Sequence, residues 1–344
     1  MVTAPVFVIA EAGVNHNGDL AIALQLCDAA HRAGADAVKF QTFRAEDLVV
    51  RGAPTAQYQF RQTGDSDQFL MLQRLELSEG QHRKISDHCK SIGIEFFSTP
   101  FSVAAADMLV RLGVMRLKLS SGELTHRALV EHAAATQLPL LVSTGMATMG
   151  EIREALGWIA GARGHLDAVT VLHCTSAYPA SDESLNLRAL RTMAADLAIG
   201  TGYSDHSLGI EAPLAAVALG AVVIEKHLTL NRHMQGPDHA ASLEPDEFLR
   251  MVSAIRRVSA MLGNGIKTPL PEELETARVA RRSIVAVCSI KAGEQVTAAH
   301  LICRRPATGI PPRHLHEIIG LTAAVNITAG STLQWNELRT PESD

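Results

Sequence analysis

Eight short apolar segments alternate with segments of helical periodicity between Val6 and about Leu262, and this alternation limits the possible folds more than any other feature. The apolar segments span residues 7–10, 37–41, 94–98, 116–119, 138–143, 169–173, 198–203 and 222–227. They are apolar on both faces, which is typical of parallel strands covered by helices. The pattern predicts an α/β fold, a closed (β/α)8 TIM barrel. An open doubly wound sheet is the alternative, but no GxGxxG phosphate loop supports it.

Local signals place several of the helices. Asp19 is a predicted N-cap for a helix that ends at Gly34. Thr148 and Glu151 have the spacing of a capping box, which predicts another helix start. The last helix is predicted to begin near Pro245 and to place one apolar face toward the barrel, formed by Phe248, Val252, Ile255 and Leu262.

Two parts of the chain depart from the alternation. Residues 44–80 form a long polar insertion with a short helix near 69–75, and insertions of this length often act as lids or binding loops. After the predicted barrel, residues 1–262, the chain lacks apolar periodicity over 263–282, which indicates a linker. Residues 283–344 contain short β-like runs and two related phrases, SIKAGEQVTAAHL and NITAGSTLQWNEL. They predict a small β-rich second domain.

Charge and cysteine content exclude several classes of function. The chain has 31 basic and 36 acidic residues, a net charge of -5, and no long Lys/Arg block. Nucleic acid and anionic membranes are therefore poor candidate partners. The five cysteines are far apart and none forms a CxxC pair, which indicates reduced thiols in a cytoplasmic protein. No secretion signal and no membrane span is predicted.

Polar side chains collect at the ends of the predicted strands, where the active sites of such barrels lie. They are Glu11, Lys39, Gln41, Thr99, Lys118, Ser120, Ser121, Ser143, His173, Thr175, Tyr178, Ser204, Asp205, His206, Glu225 and His227. A lysine within an apolar strand is costly unless it meets an anion. With several hydroxyls nearby, Lys39 and Lys118 predict a compact, strongly negative ligand such as a phosphorylated carboxylic acid. The alternative is that each lysine pairs with a carboxylate such as Glu11 or Glu123.

Two imidazoles end neighbouring predicted strands. His206 and His227 would lie at the same rim of a parallel sheet, where two neutral imidazoles can hold a metal ion. The alternative is that each histidine is a hydrogen-bonded group of the core. Cys174 ends an apolar strand, so a core thiol is favoured over a nucleophile.

The chain resembles the sialic acid synthases, which condense phosphoenolpyruvate with an N-acetylated hexosamine. The likeness extends over nearly the whole chain, in the runs IAEAGVNHNGDL, AGADAVKFQTF, FFSTPFS, KLSSGEL, LVSTGMAT, LHCTSAYPA, GYSDHSLGI, VIEKHLTL and GPDHAASLEP. RRSIVAV and RRPATGIPP resemble that family's C-terminal antifreeze-like (SAF) domain. The resemblance implies a TIM barrel followed by this domain, and a transferase that makes a nonulosonate.

The resemblance also implies a role for individual residues. Glu11, Lys118 and Tyr178 would be catalytic, with Glu11 near the acceptor. The phosphoenolpyruvate site would consist of Lys39, Thr99, Lys118, Ser143 and Ser204. The acceptor site would consist of Gln41, Ser121, Tyr178, Asp238 and Arg305. His206 and His227 would bind a divalent metal, usually Mn²⁺, with Mg²⁺ or Co²⁺ as alternatives. Arg305 would reach the site of a neighbouring subunit, which implies a domain-swapped homodimer.

The resemblance leaves the acceptor open. N-acetylneuraminate synthase, with N-acetylmannosamine as acceptor, is the expected activity. Legionaminate or pseudaminate synthase, with a 2,4-diacetamido-trideoxyhexose, is the alternative, since Ser120 and Ser176 stand where some sialic acid synthases have Gly and Asn. A synthase for a phosphorylated pentose, a carbohydrate- or ice-binding protein and a metal-dependent sugar isomerase are further alternatives.

Overall fold

The computed structural model describes residues 5–341, which divide into a unit spanning Met1–Asn264 and a unit spanning Gly265–Asp344. The first unit contains eight strands. They are β1 (Phe7–Gly13), β2 (Ala37–Thr42), β3 (Glu95–Pro100), β4 (Leu117–Leu119), β5 (Leu140–Ser143), β6 (Val169–Cys174), β7 (Gly200–Asp205) and β8 (Val223–His227). All eight predicted strands are present, with ends that shift by a few residues.

The eight strands form one parallel sheet with the order β3-β2-β1-β8-β7-β6-β5-β4. Strand β1 pairs with both β2 and β8, while β3 and β4, the two ends of that order, lie next to each other. The sheet therefore curves into a nearly closed barrel, and the predicted TIM-barrel fold is confirmed. The register pairs Glu11 with Lys39 on β2 and with His227 on β8, which brings these three residues to one level of the barrel.

Eleven helices belong to the described part of the first unit. They are α1 (Leu20–Arg32), α2 (Ala45–Leu48), α3 (Gln57–Thr63), α4 (Gln68–Gln73), α5 (Glu79–Ile92), α6 (Val103–Leu112), α7 (Arg127–Ala135), α8 (Met149–Arg163), α9 (Ala189–Leu197), α10 (Glu211–Ala218) and α11 (Pro245–Leu262). The Asp19 side chain accepts hydrogen bonds from the first turn of α1, and Thr148 and Glu151 cap α8 reciprocally, as predicted.

Helix α5 is absent from the sequence prediction, which treated the chain up to Gly80 as insertion. Its exposed face is strongly polar, and its buried face mixes His82 and Ser86 with Ile85 and Cys89, so the apolar stripe is weak. The insertion itself folds into the short helices α2, α3 and α4. A small apolar cluster of Val14, Phe43, Met71 and Leu75 attaches it to the strand ends.

The chain near the end of the barrel differs from the sequence prediction at two points. Leu262 was predicted on the apolar face of α11 and does not share its buried face, since half of its surface is exposed. The segment predicted as a linker contains helix α12 (Pro271–Ala280), which the sequence prediction did not include. Proline at its first turn and acidic residues that follow favour this helix, although it buries none of its own residues 271–280 and therefore has no apolar periodicity.

The second unit continues after α12 as a small β-rich domain. Its strands pair as two antiparallel ladders, β9 (Ser283–Ala286) with β10 (Leu301–Arg304) and β11 (Thr322–Ala323) with β12 (Leu338–Arg339). A short helix, α13 (Leu315–Ile318), lies between the ladders in the chain. The unit has its own apolar core, which includes Ile284, Ile290, Val296, Ile318 and Leu333. Across residues 5–341, no helix combines the length and the apolar character needed to span a bilayer.

Candidate active site

A cavity of about 500 Å³ opens at the carboxyl ends of the barrel strands. All the residues of the first unit to which the resemblance assigns a role line it, and they come from strands and strand-end loops around the barrel. These residues are Glu11, Lys39, Gln41, Thr99, Lys118, Ser121, Ser143, Tyr178, Ser204, His206, His227 and Asp238. Arg305 lies in the second unit, after β10, and its role stays a prediction.

Glu225 connects several polar side chains on the floor of the cavity. Lys118 Nζ donates to both carboxylate oxygens of Glu225, at 2.9 and 3.1 Å, and Ser204 Oγ donates to Oε1 at 3.0 Å. Lys39 Nζ lies 3.9 Å from the same oxygen. Burial would raise the pKa of Glu225, but the charges of Lys118 and Lys39 outweigh it and lower the pKa to about 2. Glu225 is therefore ionised and holds Lys118 in place.

Lys39 has a second carboxylate partner. Its Nζ lies 2.6 Å from Glu11 Oε2 and donates to Thr99 Oγ1 at 2.9 Å, while Gln41 Nε2 donates to Glu11 Oε1 at 3.1 Å. Burial, together with the nearby charge of Glu225, raises the pKa of Glu11 against the opposing charge of Lys39. Glu11 is thus the carboxylate of this network that takes up a proton more readily. The alternative in which each lysine pairs with a carboxylate is correct for Lys39 with Glu11, whereas Lys118 pairs with Glu225 and not with Glu123.

Two serine hydroxyls in the cavity have no partner among the residues described. Ser143 Oγ and Ser120 Oγ are both buried without a hydrogen bond, at the ends of β5 and β4. Leaving a buried hydroxyl unpaired costs about 1–3 kcal/mol, so these two groups are available to a polar ligand. Ser121 differs, because its Oγ already accepts from Gly145 N–H at 2.9 Å and lies 3.4 Å from Cys174 Sγ.

The two histidines lie side by side above this floor. The His206 and His227 ring centroids are 5.4 Å apart. His206 Nδ1 lies 2.7 Å from the Thr175 carbonyl, so Nδ1 carries a proton and Nε2 is the nitrogen left for a metal. Burial and the charge of His206 lower the pKa of His227, whose Nδ1 has no hydrogen-bond partner in the described chain and lies 3.8 Å from Asp238 Oδ2.

These properties fit a divalent metal. Burial opposes protonation of His206, but a hydrogen bond with Cys174 outweighs it and raises the pKa of His206. A metal bound there would displace that proton to give two neutral imidazoles, the form that binds metals. No group of three or more His, Cys, Asp and Glu side chains suited to a metal occurs within residues 5–341. Two imidazoles fill two of the coordination positions of a divalent metal, so a metal held by His206 and His227 would leave other positions to substrate and water.

Aromatic and acidic groups form the wall beside the histidines. The Tyr178 ring packs on His206, with centroids 4.1 Å apart, and meets His227 edge-on at 5.8 Å. Burial raises the pKa of the adjacent Asp238 to about 6. The insertion closes the outer side with Tyr58 and Gln59 on α3 and with residues of α4.

Some sequence expectations for the rim are wrong. Asp205 does not join the cavity, because it faces the outer side of the barrel and pairs there with Lys226. His173 also faces outward and lies 2.7 Å from the Leu185 carbonyl through Nε2. Cys174 is buried, as expected of a core thiol, but it also lines the cavity. The insertion residues Tyr58, Gln59 and Gln68 were missed, and the only signal for them was the length of the insertion.

Comparisons with known proteins identify the family of this chain. The NeuB family matches residues 26–267, and the SAF domain matches residues 281–339. The chain belongs to the NeuB family. As a NeuB-family protein with a C-terminal SAF domain, it is an enzyme of the transferase type, and the predicted phosphoenolpyruvate-dependent nonulosonate synthase is confirmed at the level of the family.

Individual NeuB relatives are named for several nonulosonates. The chain is 45% identical to the N,N'-diacetyllegionaminic acid synthase of Legionella pneumophila over 335 residues, 96% of this chain and 94% of that protein. It is 42% identical to the Campylobacter jejuni protein of the same name over 93% of this chain and 96% of that protein. The crystal structure of N-acetylneuraminic acid synthetase from Leptospira borgpetersenii has a TM-score of 0.71 and 36% identity, covering 79% of this chain and 90% of that one.

Proposed function

We propose that this NeuB-family enzyme is an N,N'-diacetyllegionaminic acid synthase. It condenses phosphoenolpyruvate with a 2,4-diacetamido-trideoxyhexose and water to give the nonulosonate and phosphate. The names of the more similar relatives favour this activity over the first expectation, N-acetylneuraminate synthesis from N-acetylmannosamine. The observation that carries the proposal is the single cavity in which the lysine pair lies beside the histidine pair.

In this proposal the floor of the cavity binds phosphoenolpyruvate. Lys39 and Lys118 provide the two cationic donors, and Thr99, Ser143 and Ser204 provide hydroxyl groups around them. Charge-assisted hydrogen bonds from ammonium groups to phosphate and carboxylate oxygens are roughly twice as strong as neutral ones. Because each lysine is already bound to a glutamate, the unpartnered Ser143 hydroxyl is the donor that needs no rearrangement.

The acceptor aldehyde is proposed to lie between this anion and the two histidines. His206 and His227 would hold a divalent metal, and Mn²⁺ is the first candidate, with Mg²⁺ and Co²⁺ as alternatives. When bound there, the metal supplies Lewis-acid polarisation of the aldehyde oxygen. Tyr178 packs against His206 and so fixes the plane of that ring, while Asp238 and Gln41 can orient acceptor hydroxyl and amide groups.

The bond changes follow from the substrates. C3 of phosphoenolpyruvate bonds to C1 of the aldehyde, and the aldehyde oxygen becomes a hydroxyl group. Water adds at C2, and the adduct then loses phosphate by cleavage of the bond between C2 and oxygen. Glu11 is the proposed base for that water, since its raised pKa brings the carboxyl closer to the pH at which it can exchange a proton. Lys118 and Lys39 stabilise the departing phosphate.

The outer wall of the cavity suits a deoxygenated acceptor. The side chains of Val14, Met71, Leu72, Leu75 and Phe101 line it there, and all five belong to the apolar cluster beneath the insertion. A deoxy carbon and a second acetamido methyl group would bury apolar surface against such a wall, at about 0.8 kcal/mol for each buried CH₂. The corresponding hydroxyl of N-acetylmannosamine would lose hydration there.

The acceptor preference can be measured directly. The purified enzyme with Mn²⁺ and phosphoenolpyruvate is assayed for phosphate release with 2,4-diacetamido-2,4,6-trideoxymannose and with N-acetylmannosamine, and each product is weighed by mass spectrometry. We expect kcat/KM to be about 10- to 200-fold higher for the diacetamido sugar, the range that small apolar differences produce. A higher kcat/KM for N-acetylmannosamine would contradict the acceptor, and no phosphate release with either would contradict the condensation.

The proposal includes a domain-swapped homodimer in which Arg305 of the SAF domain extends over the acceptor site of the partner. This part comes from the resemblance alone. It would bring an arginine to the acceptor site, where a guanidinium group can donate to sugar oxygens.

A further inference from the structure

Helix α3 of the insertion carries a tyrosine over the acceptor side of the cavity. The Tyr58 ring stacks on Tyr178, with centroids 5.0 Å apart and planes inclined by 24°, and Tyr178 in turn packs on His206. The three rings thus form a short stack that leads outward from the histidine pair. Tyr58 is its outer member, and it lines the cavity together with Gln59 of the same helix.

Helix α3 contributes no fully buried residue to the insertion. Phe60 of this helix is 53% exposed. The insertion is anchored instead through α4, where Phe69 and Met71 are buried. The large aromatic surface of Tyr58 is therefore directed to the cavity rather than to the core.

The position of Tyr58 corresponds to one end of the substrate. An acceptor whose aldehyde carbon lies at His206 and His227 extends its other carbons outward past Tyr178. The outermost carbons, with the deoxy methyl group and the second acetamido group, then reach the level of Tyr58. An aromatic face binds such C–H groups by burial and dispersion, and it binds a hydroxyl-rich chain less well.

We propose that Tyr58 is a specificity-determining residue that forms an aromatic platform for the deoxy end of the acceptor. The inference rests on the proposed function and deepens it, because it names the residue that separates a diacetamido-trideoxyhexose from N-acetylmannosamine. Tyr58 stacks on Tyr178 and is separated from His206 by that ring, so we expect its effect on acceptor binding rather than on phosphoenolpyruvate binding.

The test compares Tyr58→Ala and Tyr58→Phe with Phe60→Ala, a matched control on the same helix whose ring does not line the cavity. KM is measured for phosphoenolpyruvate and for both acceptors by phosphate release. For Tyr58→Ala we expect a KM for the diacetamido acceptor about 5- to 30-fold higher, the loss of one aromatic contact, and a KM for phosphoenolpyruvate within about twofold. Tyr58→Phe and Phe60→Ala are expected to resemble the wild type.

Three results would overturn the platform: an unchanged acceptor KM in Tyr58→Ala, equal increases in KM for both substrates, or the same loss in Phe60→Ala. If circular dichroism shows that Tyr58→Ala is not folded, Tyr58→Leu replaces it, because leucine retains bulk without an aromatic face. The KM values for the acceptor and for phosphoenolpyruvate are then compared in the same way. If the wild type prefers N-acetylmannosamine, the proposed acceptor is wrong whatever Tyr58 does. A wild type that prefers the diacetamido sugar, together with an unchanged acceptor KM in Tyr58→Ala, would overturn the platform and leave the proposed function standing.

Discussion

At the residue scale, the cavity floor is already balanced in charge before a substrate binds. Lys39 and Lys118 carry two positive charges, and Glu11 and Glu225 are the two carboxylates paired with them. A phosphoenolpyruvate trianion therefore does not meet two free cations. We infer that the substrate shares each lysine with its glutamate and depends on the buried hydroxyl groups for the remaining hydrogen bonds.

Lys118→Ala tests this arrangement. The substitution removes one cation from the anion site and leaves Glu225 buried with Ser204 and the more distant Lys39. We expect the KM for phosphoenolpyruvate to rise about 10- to 100-fold, because a buried charge-assisted contact contributes about 1.5–3 kcal/mol. The acceptor KM should change far less.

The control for this prediction is Lys118→Arg, which keeps the positive charge and should retain a larger part of the affinity for phosphoenolpyruvate. Steady-state assays of phosphate release measure the KM for phosphoenolpyruvate and the KM for the acceptor. A KM for phosphoenolpyruvate that stays at the wild-type value in Lys118→Ala would show that Lys118 only neutralises Glu225.

The sequence predicted the cavity residues better than their partners. The ends of parallel strands meet at one rim whatever the register, so Glu11, Lys118 and His227 could be grouped from their positions alone. The pairing of Lys118 with Glu225 depends on contacts across the barrel between β4 and β8, which no local pattern encodes. Tyr58 could not be found because it follows no strand.

At the element scale, successive side chains along β7 and β8 point alternately into the cavity and to the outer face of the barrel, where a buried ion pair lies. Ser204, Glu225 and His227 face the cavity, whereas Asp205 and Lys226 point to the opposite face. Lys226 Nζ donates to Asp205 Oδ2 and to the Ser207 carbonyl, and the pair is completely buried. Tyr203 Oη and Ser207 Oγ donate to Asp205 Oδ1, which fully satisfies the carboxylate.

Lys226→Met should be strongly destabilising, because it leaves the Asp205 carboxylate buried without its cation. Breaking a buried ion pair from one side costs about 3–5 kcal/mol of unfolding free energy. The double variant Lys226→Met/Asp205→Asn should recover much of that loss, since no buried charge remains. Urea unfolding followed by circular dichroism measures both, and equal stability of the single variant and the wild type would show that the pair contributes nothing.

Element prediction succeeded where the chain carries a strong local signal. The strands are continuous apolar runs, and the capping box of Thr148 and Glu151 marks the start of α8, so the strands and this helix start were predicted to within a few residues. Helix α5 was missed because His82 and Ser86 occupy its buried face, where a satisfied histidine replaces an apolar residue. The short helices of the insertion depend on tertiary contacts through Phe69 and Met71, which local propensity does not predict.

At the scale of the whole molecule, buried neutral histidines make stability depend on pH. Burial, with a smaller contribution from the charge of His82, lowers the pKa of His16 to about 4, and burial lowers that of His239 to about 4. The unfolded chain takes up these protons near pH 6.5. The folded state resists protonation until about pH 4, so the stability contributed by each histidine is full above pH 6.5 and is lost as the pH falls toward 4.

Each of these histidines should lower the unfolding free energy by up to about 1.4 kcal/mol per pH unit within that window. Urea unfolding at pH 7.5 and pH 5 measures the change. His16→Asn should show a smaller loss of stability between the two pH values than the wild type does. His31→Asn, at an exposed histidine of α1, is the control and should keep the wild-type dependence. The same dependence in His16→Asn would contradict the assignment.

The division into a barrel and a small β-rich unit follows from the change in periodicity after residue 262, which the sequence shows clearly. The secondary structure of the segment between them could not be predicted from periodicity. Helix α12 has no buried face, and its helical signals are restricted to Pro271 and the acidic residues of its first turn. The oligomeric state could not be predicted from these patterns either, because periodicity within one chain does not show which surfaces contact a partner subunit.

The central claim is that one cavity holds phosphoenolpyruvate beside a metal bound by two histidines. The most direct measurement is a crystal structure of the enzyme with phosphoenolpyruvate and Mn²⁺, with anomalous data collected at the manganese edge. We predict one manganese peak bonded to the imidazoles of His206 and His227, and phosphate or carboxylate oxygens within hydrogen-bond distance of Lys39 and Lys118. Manganese bound to neither histidine, or the substrate bound away from both lysines, would contradict the account.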